Sequence, residues 1–431
     1  MNQIIFPKPT PAEPLPLQEW LKLTDRAEVG REPFFRGRDN EYRVFRDALS
    51  SLDEGHIGGG SMIFQGAPGA GKTALMQECM EAVRQHSTPD NPWVAVNIKP
   101  QNLESATEVV MLLVDAANAE SNRLSEVSSG SSIKKINSII EIGRKMYHDL
   151  SQRGIGIAGI SVGGKLRNDQ DAKIYSQRVF RDAASLLKSF HIVVVVDEAQ
   201  NIPIEKTTKG VVDCLHNPPS EIPLIAAFFG LSDTEEVLSK CGVSRPADER
   251  VVTLELLSHK ESSEVMMSIF ESYKFIGSQE DIETWVKCLA ELSQGWPQHI
   301  SRVSVVAARV ISSNDKRIKA ELLKQVLAEG QKRKDNYYAM ILRRCSGQLW
   351  IYKKLAMIAS EKNDILSLDD ILYLAKFARN KKAEPIKDFL TEALHAGILI
   401  ETRNPPNYYR IPIPSLCDYL LTLSEDPPAG I

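Results

Sequence analysis

A chain of 431 residues, 43% hydrophobic and 25% charged, is ordinary globular material with room for two or three domains that each bury a core. Its formal net charge of −4 exerts no global pull on nucleic acid, so any such contact must come from a local patch. Cysteines at 79, 214, 241, 288, 345 and 417 form no C-x-x-C pair and have no histidine cluster beside them, which gives no zinc pattern and points to a reduced, cytoplasmic protein. The longest apolar runs, near 192–196 and 224–229, have strand length and fall well short of the ~20 residues of a membrane helix.

The N-terminus lacks the basic region and apolar core of an export signal and carries prolines at 7, 9, 11, 14 and 16. Residues 1–34 read as an extended proline-rich arm, either docked on the body through Trp20 and Leu21 or a passive tail. The stretch Phe35-Arg36-Gly37-Arg38-Asp39-Asn40-Glu41 leads into a helix with Tyr42, Phe45, Leu49 and Leu52 on one face. Gly37 and Arg38 are candidates to reach the base or ribose of a nucleotide, with a simple helix start as the alternative.

The strongest signal follows. Gly66, Ala67, Pro68, Gly69, Ala70, Gly71, Lys72 and Thr73 fit G-x-x-x-x-G-K-[ST] without a mismatch, between an apolar strand at 61–65 and a helix that continues from Ala74. Glycines let the backbone curl so that its N–H groups face a phosphate, and the helix presents its positive dipole end to the same anion. The spacing assigns Lys72 to the β- and γ-phosphates and Thr73 to Mg²⁺.

A second strand spans 93–98, and helical periodicity follows around 109–113, 136–142 and 180–190. Between these, Gly154 to Gly159 matches G-x-G-x-x-G, but the extended alternation continues through Gly164 where a helix should open, so a hairpin or exposed β-loop is expected instead. His191-Ile192-Val193-Val194-Val195-Val196 reads as a strand buried on both faces. Asp197 and Glu198 at its carboxyl end are placed to position Mg²⁺ and to activate the attacking water, respectively.

The strand at 224–229 ends in Gly230-Leu231-Ser232-Asp233-Thr234, either sensing the γ-phosphate or capping a helix through Ser232 or Asp233. Arg245 and Arg250, ahead of a strand at 251–254, are candidates for a finger reaching a neighbouring subunit, or else pair with Asp248 or Glu249. From 258 to 330 the text is helical, broken at Gly295-Trp296-Pro297-Gln298, and Gln331-Lys332-Arg333-Lys334 reads as a linker.

From 340 onward three short helices precede a hairpin, the order of a winged helix. Between 331 and 412 fifteen Lys or Arg stand against nine Asp or Glu, a local balance of +6. Lys376, Arg379, Lys381 and Lys382 before the third helix, with Arg403 and Arg410 on the wing, could neutralise DNA phosphates. Lys387, Asp388, Thr391, Glu392 and His395 on that helix offer little base-reading chemistry, so backbone-dominated DNA binding is expected, with protein binding as the alternative.

In this order, the 35–41 stretch, the phosphate loop, Asp197-Glu198, the strand ending at Phe229, Gly295-Trp296-Pro297 and the terminal winged helix resemble the AAA+/STAND group of P-loop ATPases, among them origin-recognition-type initiators and transposition target-selection ATPases. The resemblance implies an α/β core with a parallel sheet in the order 5-1-4-3-2, a helical lid and a winged helix, divided as arm 1–34, core 35–257, lid 258–330 and winged helix 331–431. It implies ATP and Mg²⁺ as cofactors, and hydrolysis that is slow or partner-stimulated. It further implies an ATP-dependent homo-oligomer acting with DNA in replication, transposition, mobile-element or phage-defence settings, or else a signalling scaffold that recruits a separate effector protein. Residue by residue, the resemblance implies that Gly37, Arg38, Gly66 to Ala74 and Gln298 bind the nucleotide, that Thr73 and Asp197 hold Mg²⁺, and that Lys72, Glu198 and Arg245 are catalytic. Origin-recognition proteins often carry an arginine where Gln298 stands, and Arg302, one turn on, is the candidate substitute.

Overall fold

The computed structural model describes residues 8–26, 30–55, 60–127, 168–243, 250–343, 349–362, 364–377, 387–402 and 407–424. The glycine run at 154–159, Arg245, Arg379, Lys381, Lys382 and Arg403 lie outside the described residues, as does the side chain of Lys376.

The chain forms two compact units. The first comprises Met1–Thr10, Asp39–Gln65 and Leu75–Thr253. Its centre is a five-stranded parallel sheet of β1 (Met62–Gln65), β2 (Trp93–Asn97), β3 (His191–Val196), β4 (Leu224–Gly230) and β5 (Val251–Thr253). Its order is β2-β3-β4-β1-β5, the one implied by the resemblance, read from the other edge. Every residue of β1 and β4 is buried, as are Ile192 to Val196 of β3, because parallel strands are covered on both faces and need apolar side chains throughout. The helices of this unit are α2 (Asp39–Asp53), most of α3 (Lys72–His86), α4 (Ala106–Val127), α5 (Asp169–Leu187), α6 (Lys206–His216) and α7 (Thr234–Lys240). The apolar stripes of α4 to α7, including Val110, Leu113, Phe180 and Leu215, meet Val94, Val194 and Phe228 of the sheet in one core.

The second unit comprises Pro11–Arg38, Gly66–Ala74 and Leu254–Ile431. The proline-rich arm ends in a helix, α1 (Leu17–Arg26), where the sequence suggested extended chain. Pro16 closes the proline run, and its carbonyl accepts from the N–H groups of Glu19 and Trp20 to start the first turn. Trp20 is buried edge-on to Phe34, with ring centroids 5.6 Å apart, and lies 5.4 Å from Tyr273. Docking of Trp20 and Leu21 thus has a structural basis, in a core shared with α8 (His259–Ser272), α9 (Gln279–Ser293), α10 (Pro297–Ser312) and α11 (Ala320–Leu342).

Residues 331–334 are not a linker but the middle of α11. Lys, Arg and Gln are good helix formers, and the buried positions Val326, Gly330, Lys334, Tyr337, Tyr338 and Ile341 keep helical spacing straight through the charge run. Beyond it come α12 (Leu349–Glu361), β6 (Ile365–Ser367), α13 (Leu368–Phe377), α14 (Lys387–His395), β7 (Ile400–Thr402), β8 (Tyr408–Arg410) and α15 (Leu416–Leu421). Three short strands form an antiparallel sheet in the order β6-β8-β7, one strand more than the expected hairpin. The capping pattern at Ser367 is present: the Asp370 N–H donates to Ser367 Oγ at 3.3 Å, and the Ser367 N–H donates to the Asp370 carboxylate at 2.9 Å.

Candidate phosphate-binding site

The strand order decides where a ligand site can form. From β1 the chain crosses to β2 at the far edge and returns by way of β3 to β4, beside β1, before reaching β5 on the other side. Connections therefore diverge from the carboxyl ends of β1 and β4, and such a switch point is where open α/β sheets bind ligands. The phosphate loop leaves β1 there, while Asp197 and Glu198 leave the carboxyl end of β3.

Each carbonyl from Gly66 to Ala70 has a donor. Lys72 Nζ donates to Gly66 O at 2.9 Å and to Ala67 O at 3.1 Å, and the Ala70 N–H also turns back to Ala67 O at 3.2 Å. The Tyr337 hydroxyl donates to Pro68 O at 2.5 Å, the Gln298 backbone N–H to Gly69 O at 3.1 Å, and Arg38 Nη2 to Ala70 O at 2.8 Å. Because the peptide is planar and trans, fixing the carbonyls of 68 and 70 toward these donors turns the N–H groups of 69 and 71 the opposite way, while the Ala70 N–H is taken by Ala67 O. Gly69 and Gly71 have φ of +84° and +88°, a region that side chains disfavour. A Cβ on Gly69 would also stand 2.6 Å from Tyr337 Oη and 2.7 Å from Gln298 Cβ.

These residues fit a magnesium nucleotide. Lys72 is a buried cation seated inside the loop, Thr73 exposes its side chain on the first turn of α3, and the helix amino end adds positive potential. Gln298 meets the loop through its main chain, a contact independent of its side chain. Arg302, one turn on, is half-buried, with its Nε lacking a hydrogen-bond partner and its Cζ 5.2 Å from the Tyr337 ring centroid. Burial lowers its pKa from the ordinary arginine value. Arg38 adopts φ 61°, and its guanidinium holds the phosphate-loop carbonyl rather than standing free to read a base.

On the first unit, Asp197 Oδ1 accepts the Glu198 N–H at 2.9 Å, and Glu198 adopts φ 52°, which swings it out of the strand direction. Gln200, buried at the same turn, donates to the Glu198 carboxylate through Nε2 and accepts the Leu231 N–H at 3.0 Å through Oε1. It thereby ties the acidic turn to the end of β4. Asp233 stands at the N-cap of α7 without a side-chain capping bond. Arg250 lies at the amino end of β5, against Gly60, where an added Cβ would fall 1.3 Å from Arg250 Nη1. In a parallel sheet this is the opposite end of the strands from Asp197 and Glu198.

Sequence reasoning missed Tyr337 and Gln200. Gln200 sits two residues after a motif already recognised, so proximity could have flagged it, whereas Tyr337 lies 269 residues from Pro68 and carries no local signal. No group of three or more His, Cys, Asp or Glu side chains able to hold a metal is found among the described residues.

No family model matches the sequence, and no curated protein matches it either. Among solved structures, the Walker-type ATPase paby2304 of Pyrococcus abyssi is 14% identical, over 91% of this chain and 97% of that one, with a TM-score of 0.49. The Aeropyrum pernix ORC2 protein is 12% identical over 91% and 93% of the two chains, with a TM-score of 0.47. A RuvB Holliday junction branch migration motor of Thermotoga maritima is 13% identical over 91% and 95%, with a TM-score of 0.41.

Proposed function

We propose that this chain is a P-loop ATPase of the AAA+ type, binding Mg-ATP at 66–74 and hydrolysing it through Asp197 and Glu198. The observation that carries this reading is the donor supplied to every carbonyl from Gly66 to Ala70, which leaves the loop to present N–H groups to an anion. Lys72 holds the β- and γ-phosphates, Thr73 and Asp197 hold Mg²⁺ directly or through water, and Glu198 orients the attacking water. ATP-dependent self-association, with Arg245 completing a neighbour's site, and DNA contact through the basic C-terminal module belong to the same reading. The test is a pair of variants. Lys72→Ala should lose Mg-ATP binding by titration calorimetry, and Glu198→Gln should retain binding while turnover falls by about 100-fold or more. Equal turnover in Glu198→Gln and wild type would sink the hydrolytic assignment.

A second reading, a signalling scaffold whose winged helix recruits a protein, draws on one contact. Arg410, counted among the DNA-binding candidates, is ion-paired with Glu255. Salt-dependent DNA binding, measured with and without ATP, separates the two, because a scaffold shows no such dependence.

A further inference from the structure

The geometry points to Tyr337 as a positioning residue that shapes the phosphate loop, an inference that rests on the nucleotide-binding reading above. Its hydroxyl donates to Pro68 O at 2.5 Å, making it the one side-chain hydroxyl among the three outer donors that reach carbonyls 68, 69 and 70. The Pro68–Gly69 peptide has no proline nitrogen at its second position, so the group that turns when Tyr337 releases the carbonyl is the Gly69 N–H. Gly69 resists that rotation less than any other residue type would, having no side chain to hold its backbone in place. An external anchor is therefore needed at this peptide, as it is at the Ala70–Gly71 peptide that Arg38 holds. The Tyr337 ring is itself held: it is buried, stands edge-on to His299 with centroids 5.8 Å apart, and lies under the Arg302 guanidinium.

The same helix fixes where that anchor stands. One turn earlier, Lys334 Nζ donates to Leu292 O at 2.8 Å and to Gln294 Oε1 at 3.1 Å, next to the turn that starts α10 and delivers the Gln298 N–H. The adjacent Tyr338 hydroxyl donates to Pro414 O at 2.8 Å, away from the loop. Tyr337 and Tyr338 are thus neighbouring buried tyrosines whose hydroxyls each reach a proline carbonyl, that of Tyr337 in the phosphate loop and that of Tyr338 at Pro414.

This difference supplies the experiment. Tyr337→Phe and Tyr338→Phe are made in the full chain, and affinity for Mg-ATP is measured by calorimetry beside the thermal midpoint. Tyr337→Phe should weaken Mg-ATP binding by about three- to tenfold, the loss that one hydrogen bond gives. Tyr338→Phe should leave affinity within twofold of wild type while lowering the midpoint at least as much as Tyr337→Phe does. Wild-type affinity in Tyr337→Phe, or a parallel loss in both variants that follows the midpoint, overturns the assignment. Absence of Mg-ATP binding by wild type itself would instead remove the nucleotide reading on which the assignment depends.

Discussion

At the scale of single residues, His299 shows how tightly the second unit packs behind the loop. Its ring is fully buried, Nδ1–H donates to Ser293 O at 3.2 Å, and Nε2 has no hydrogen-bond partner. Burial, aided by the positive charges of Lys334 and Arg302, pushes its pKa from 6.5 down to about 3. A neutral imidazole in the fold and a protonated one in the unfolded chain mean that the unfolded state binds more protons between those values. The stability is therefore complete above pH 6.5 and is lost as pH falls toward 3. His299→Phe should flatten the fall of the unfolding free energy from urea titrations across that window, by on the order of 5 kcal/mol over its full width. A wild-type slope in the variant would place the proton uptake elsewhere. Gln200 gives a second prediction at this scale. Because its amide holds the Glu198 carboxylate and the Leu231 N–H together, Gln200→Leu should lower turnover by roughly tenfold while Mg-ATP affinity stays put, since the loop donors are untouched. Steady-state kinetics beside calorimetry would check it, and a fall in affinity without a fall in turnover would contradict it.

At the scale of elements, the C-terminal module meets the phosphate loop within the second unit. Gly397 follows α14 with φ +72°, and a Cβ there would stand 1.9 Å from Pro68 Cδ. Pro68 is accordingly gripped twice, by the Tyr337 hydroxyl at its carbonyl and by the Gly397 backbone at its ring. Gly397→Ala should cost about 1–3 kcal/mol of stability from overpacking and the left-handed backbone together, and should weaken Mg-ATP binding because the ring must shift. Unchanged affinity in a destabilised variant would show that the loop absorbs the shift. Neither grip was legible in the sequence. The phosphate loop, the buried valine strand and the acidic pair declare themselves in consecutive residues, because a tight anion-binding turn and a doubly covered strand each demand particular residue types in a row. Contacts such as Tyr337 to Pro68 depend on how helices fold back, and no residue type is uniquely required for them. Residues 331–334 misled for a related reason: a charge run looks like a linker until the buried stripe on either side is counted, and Lys334 belongs to that stripe.

At the scale of the whole molecule, charge distribution is the property to test. The net charge of −4 coexists with +6 between 331 and 412, so the balance over the rest of the chain is −10. A protein charged in this way should engage DNA only through its C-terminal module, with non-specific affinity set by counterion release. Each phosphate neutralised adds about 0.9 to the slope of log affinity against log salt on duplex DNA. Replacing Lys376, Arg379, Lys381 and Lys382 together by alanine should therefore flatten that slope by roughly 3–4 if all four meet phosphates. Arg410 provides the internal control. Its guanidinium already pairs with Glu255, so Arg410→Ala removes a cation that must first break that pair to reach DNA, and the slope should change by less than one phosphate contact. Fluorescence anisotropy on a short duplex across a salt series, with Mg-ATP present, measures both variants. Should the fourfold variant keep the wild-type slope while Arg410→Ala loses a full contact, strand β8 rather than the basic residues 376–382 would face DNA. If wild type binds no duplex at any salt, the basic module serves a protein partner instead.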